Sequence, residues 1–116
     1  VLYVGLPEHP GYDIARRQAA GFGGMLSFET DSEETARRIL ERVRVIAFAE
    51  SLGGVESLIT YPMLQTHADV PEAQRQARGI TGRLLRLSVG LESARDLIDD
   101  LAQALGGDEL PTKQRK

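Results

Sequence analysis

The chain has 116 residues, about enough for one domain. Its 14 basic and 17 acidic residues leave a net charge of −3, against the basic patch that an electrostatic nucleic-acid binder needs. With no cysteine, disulfides, thiolate metal sites and cysteine nucleophiles are excluded, and no apolar run approaches the roughly 20 residues that span a bilayer.

The first residues, Val1 to Val4, read as a strand-like apolar start without an initiator methionine, so a longer parent protein is expected. His9 to Ala20 predicts a helix, with Pro10 near its first turn and Gly21 at its end. Gly24 to Glu29 alternates apolar with small or polar residues, as a half-buried strand does. Ser32 is an N-cap candidate, and Glu33 and Glu34 suit the positive end of the helix that follows. There Ala36, Ile39, Leu40 and Val43 make one apolar face. Val43 to Phe48 is apolar and rich in β-branched residues, which predicts a strand. The paired glycines of Ser51-Leu52-Gly53-Gly54 mark a loop.

Leu58 to Tyr61 predicts a short strand stopped by Pro62, and Pro71 to Gly79 a helix. Leu84 to Val89 predicts a strand, with Leu85, Leu87 and Val89 on one face and Arg86 and Ser88 on the other. Ser93 caps a last helix whose apolar stripe is Ala94, Leu97, Ile98, Leu101 and Leu105. Residues 1–107 form the expected domain and 108–116 a polar tail. The order α-β-α-β-β-α-β-α predicts an α/β (α+β) domain: a four-stranded, mostly antiparallel sheet with helices packed on a face. The tight segment between strands two and three points to antiparallel pairing there. The same core order fits the split βαβ pattern of small regulatory domains.

Few residues stand out for chemistry. Arg86 puts a planar, permanently charged fork in mid-strand, suited to a carboxylate or phosphate and equally to a solvated face. Glu50 and Ser51 open a glycine loop directly after a strand, where backbone approaches a ligand closely or simply turns. Thr66 and His67 lie in another loop, and His67 reads as structural. Arg37 and Arg38 read with Glu33, Glu34 and Glu41 as a solvated, ion-paired helix face. Tyr12, Phe22 and Tyr61 read as packing residues. The two histidines exclude a His-rich metal site, and no metal is expected. The only lysines, Lys113 and Lys116, sit in the tail, so the folded part carries no chemistry that needs a buried lysine.

Taken in order, the pieces resemble a known family. Phe48-Ala49-Glu50-Ser51-Leu52-Gly53-Gly54-Val55-Glu56-Ser57-Leu58-Ile59 leads to Pro62, Thr66-His67, Pro71-Glu72 and Gly79-Ile80. Leu85-Arg86-Leu87-Ser88-Val89-Gly90-Leu91-Glu92 and an acidic-apolar helix close the series. With His9-Pro10 and the strand from Gly23 to Phe28, this is similar to the C-terminal domain of the Cys/Met-metabolism enzymes that use pyridoxal phosphate. Within that family it resembles cystathionine γ-synthase and γ-lyase.

The resemblance implies a substrate-binding domain of a fold-type I pyridoxal-phosphate enzyme. The Schiff-base lysine and cofactor-binding groups would lie in a preceding N-terminal domain, so neither catalytic nor cofactor-binding residues are expected in this stretch, and alone it would be inactive. By position, Arg86 would grip the substrate α-carboxylate and Ser51 would lie beside it. Glu50 would tune γ-substrate preference, and Thr66 would stand near the pocket. The resemblance further implies trans-sulfuration by γ-replacement or γ-elimination on homoserine esters or cystathionine-type substrates. It implies a cytoplasmic homotetramer with no nucleic-acid or membrane partner. The alternative is a free-standing amino-acid-sensing module of split βαβ topology.

Overall fold

A computed structural model of the chain describes residues 1–64 and 71–106. The elements follow the expected order, but several are shorter. α1 spans Tyr12–Gln18, β1 Met25–Glu29, α2 Glu33–Arg42 and β2 Ala47–Phe48. β3 spans Leu58–Thr60, α3 Glu72–Ala77, β4 Leu84–Ser88 and α4 Ala94–Gly106. The cap at Ser32 forms as its chemistry requires: its Oγ accepts the Thr35 amide at 3.2 Å. Val1 to Val4 contributes only a bridge between Leu2 and Ser27 along the outer edge of β1.

The four strands form one sheet in the order β1-β4-β3-β2. β4 runs antiparallel to both β1 and β3, so two of the three ladders are antiparallel. β2 and β3 pair in parallel, contrary to the antiparallel pairing their short connection suggested. The strands are so short that residues 49–57 suffice to carry the chain back from the end of β2 to the start of β3.

The expected strand from Val43 to Phe48 shrinks to Ala47–Phe48, and Asp100 is the reason. This fully buried carboxylate accepts the amides of Arg44 at 2.8 Å and of Val45 and Ile46 at 2.9 Å each. Donors bound to Asp100 are withheld from a ladder. Asp100 also shifts the stripe of α4. Leu97, Asp100 and Ala104 are buried, while Ala94, Ile98 and Leu105 are exposed. Val89 likewise lies outside β4 and is exposed at 37%.

The core lies between one sheet face and the helices α2 and α4. Ala36 and Ile39 from α2 meet Ile59, Leu85 and Leu87 from the sheet and Leu97 and Ala104 from α4. In-register pairing aligns Leu26 with Leu87 and Phe28 with Leu85, so β1 turns the same face inward. Tyr61 is 1% exposed, and its hydroxyl donates to the Gly82 carbonyl at 2.8 Å. Tyr12 stacks on Phe22 with ring centroids 5.3 Å apart. Of Arg37 and Arg38 on α2, only Arg37 behaves as a solvated partner, 3.0 Å from Glu33. Arg38 is half-buried and reaches the Leu105 carbonyl at 3.4 Å.

Candidate substrate site

The sheet face opposite the helices carries the candidate site. Leu85 and Leu87 point into the core, so Arg86 and Ser88 point the other way. Arg86 stands in register with Ser27 of β1 on one side and Thr60 of β3 on the other. Small hydroxyl side chains therefore flank the guanidinium across the sheet. The strands hold two charged residues, Glu29 and Arg86. Glu29 is 3.5 Å from Arg83. Arg86 is half-buried and makes no hydrogen bond or ion pair with another described residue, so its five donors remain free for a ligand.

The loop from Ala49 to Ser57 crosses this same face. Thr60 Oγ1 donates to the Ala49 carbonyl at 2.8 Å, and Ser88 Oγ accepts the Gly53 amide at 2.8 Å. Gly53 takes φ of +79°, a left-handed turn that a side chain would strain. Beyond it, the Leu91 amide donates to the Val55 carbonyl at 2.8 Å. Ser57 then donates to Glu92 through its amide at 2.8 Å and its hydroxyl at 2.6 Å, and its Oγ accepts the Gly90 amide at 2.8 Å. These two donors, the hydroxyl foremost, hold the Glu92 carboxyl below the ordinary glutamate range.

Glu50 and Ser51 ride on this loop, both exposed and both without a hydrogen bond to another described residue. The structure thus brings the loop bearing Glu50 and Ser51 onto the face of Arg86. Thr66 and His67 lie outside the described residues, as does the tail with Lys113 and Lys116. No lysine stands among the described residues, so none there fits a pyridoxal phosphate bound as an imine. The free guanidinium and the loop polar groups suit instead the charged ends of an amino acid.

A cavity of about 630 Å³ opens on the other side of the sheet, lined by Leu26, Phe28, Leu87, Leu101 and Leu105 with Arg38 at its wall. Most of its surface is apolar and continuous with the core, and Glu29, Thr30, Asp31 and Thr35 line it beside Arg38. Among the described residues, no group of three or more His, Asp or Glu side chains is placed to hold a metal. No helix there is long and apolar enough to cross a membrane.

Ser57, Thr60, Ser88, Glu92 and Asp100 carry the loop and strand connections, and none stood out in the sequence as part of a site. Asp100 had a legible signal, an acid inside an apolar helical stripe. Ser88 had a weaker one, a hydroxyl two positions from Arg86 on the same strand face.

The family model described as Cys/Met metabolism PLP-dependent enzyme matches residues 1–106. The chain belongs to that family. It is 50% identical over 105 residues to a cystathionine gamma-lyase of Bacillus subtilis, covering 90% of this chain and 28% of that protein. It is 52% identical over 107 residues to a cystathionine beta-lyase of Coxiella burnetii, covering 90% of this chain and 27% of that one. A cystathionine gamma synthase structure from Xanthomonas oryzae pv. oryzae, solved with cystathionine, superposes with a TM-score of 0.82 at 48% identity. That match covers 90% of this chain and 27% of the other. The chain therefore spans just over a quarter of the length of these relatives. Membership of a pyridoxal-phosphate enzyme family, with no relative of the regulatory kind among these, leaves the amino-acid-sensing module without support.

Proposed function

We propose that this chain is the C-terminal, substrate-holding part of a pyridoxal-phosphate-dependent trans-sulfuration enzyme. The whole enzyme would act by γ-elimination or γ-replacement on cystathionine-type amino acids or homoserine esters. Arg86 carries the reading: a mid-sheet guanidinium, half-buried, without a partner among the described residues, and on the face crossed by the Glu50–Ser51 loop. Relatives named as cystathionine lyases and synthases support it, as does a synthase solved with cystathionine itself.

Arg86 would take the substrate α-carboxylate in a two-pronged ion pair. That clamp would fix the orientation of the substrate's Cα and of the proton it carries. Ser51 would donate its hydroxyl beside the carboxylate, and Glu50 would accept from the distal ammonium of cystathionine. Thr66 retains the pocket role that the resemblance implies. Pyridoxal phosphate, held by the rest of the enzyme, supplies the electron sink for loss of the Cα proton. The isolated chain would be inactive, and the full enzyme would work as a cytoplasmic homotetramer.

The test is steady-state kinetics on the full-length holoenzyme. Arg86→Ala is expected to raise KM about thirtyfold or more, because stripping one partner from a desolvated charge pair costs on the order of 2–5 kcal/mol. The penalty should vanish for a substrate whose α-carboxylate is replaced by a neutral amide. An unchanged KM, or an equal penalty on the amide, would overturn the role.

A further inference from the structure

We infer that Ser88 and Thr60 are positioning residues, which staple both ends of the Ala49–Gly53 segment to the sheet and so fix Glu50 and Ser51 relative to Arg86. The inference rests on the substrate site proposed above and adds two members to it.

Both hydroxyls stand next to Arg86 on its own sheet face. Thr60 is its partner across β3 and Ser88 its neighbour two residues along β4. Each is almost wholly covered, Thr60 at 1% and Ser88 at 3% exposure. A buried hydroxyl is costly unless bonded, and each is spent on the loop backbone. Thr60 Oγ1 holds the Ala49 carbonyl at the loop's start, and Ser88 Oγ holds the Gly53 amide at its far end, both at 2.8 Å.

Between these anchors, Glu50, Ser51 and Leu52 make no hydrogen bond to another described residue. Their placement is thus set by the two ends. The same strand positions that aim the guanidinium aim the loop, so Arg86, Ser51 and Glu50 share one rigid reference. Releasing one end leaves the loop to be ordered when substrate binds, and that ordering is charged against affinity. Kinetic constants should then divide unequally: KM rises and kcat stays.

The experiment compares Thr60→Val, Thr60→Ser, Ser88→Ala and Arg86→Ala in the full-length holoenzyme. Thr60→Val and Ser88→Ala are each expected to raise KM about tenfold, with kcat within about twofold, from loss of one buried hydrogen bond. Thr60→Ser keeps the donor and should restore KM. Hydrogen exchange on the unaltered holoenzyme adds a readout that needs no variant, with the Gly53 amide expected to exchange more slowly than those of Ser51 and Leu52. A KM unmoved by Thr60→Val and Ser88→Ala while Arg86→Ala raises it would overturn the stapling role and leave the site standing. So would Thr60→Ser as damaging as Thr60→Val, or a Gly53 amide as fast as its neighbours. An Arg86→Ala variant with unchanged KM would overturn the site itself.

Discussion

The Glu92 carboxylate closes on Ser57 through two donors, the amide at 2.8 Å and the hydroxyl at 2.6 Å. This clasp joins the chain that follows β4 to the chain that enters β3. It ties the far end of the Ala49–Ser57 loop to the segment that follows the strand carrying Arg86.

Because those bonds favour the charged form, Glu92 titrates lower folded than unfolded. Its contribution is therefore complete above the unfolded glutamate value and drains away as the pH falls through the lower folded one. Thermal melts of the wild type and Glu92→Gln should differ by a constant amount near neutrality. The gap should narrow below about pH 4, where an unperturbed glutamate takes up its proton. A gap independent of pH across that range would contradict the charged clasp.

Gly90 tests how tightly the clasp is packed. A Cβ there would run into the Val55 carbonyl oxygen and would stand 2.6 Å from the Glu56 carbonyl carbon and 2.7 Å from the Ser57 nitrogen. These are backbone atoms that cannot swing aside. Gly90→Ala is expected to cost about 2 kcal/mol or more, read from urea unfolding midpoints. Gly54→Ala is the control. Its nearest contact is 4.0 Å away and its φ is not positive, so it should change stability by less than about 0.5 kcal/mol.

Asp100 makes a third prediction. Asp100→Ala would leave the amides of Arg44, Val45 and Ile46 without their acceptor, inside or beside the core. Asp100→Asn would turn an amide group toward some of the same donors. Each is expected to cost on the order of 3 kcal/mol in denaturant unfolding, since buried bonds to a charged group are expensive to break. Asn should be the milder, because it keeps one acceptor oxygen. Near-neutral behaviour of either variant would show that water replaces the carboxylate freely.

Regular periodicity made much of this fold legible. Ala36, Ile39 and Ser32 defined α2 from spacing and capping chemistry alone, and the alternation of Leu85, Arg86 and Leu87 assigned β4 its two faces. The misreadings share one cause. Val43 to Ile46 has every local property of a strand, yet its donors go to Asp100, a residue far away in sequence. The parallel pairing of β2 with β3 is set by where the loop can return, which the composition of residues 49–57 does not encode. Arg86 was legible as a charge in a strand. The hydroxyls of Thr60 and Ser88 were not, because their value depends on which backbone atoms cross above them.

The placement of β4 bears on how this chain is made. Of the four described strands it is the last in chain order, yet it stands between β1 and β3. Until Leu84 to Ser88 leaves the ribosome, the pairing available among the described residues is the bridge to Leu2 for β1 and the two-residue ladder with β2 for β3. Assembly of the sheet is thus a single late insertion that closes two ladders together, made from contacts distant in sequence. A nascent chain stalled before that point displays two unsatisfied strand edges, the surfaces that chaperones must shield and that stick to other chains first.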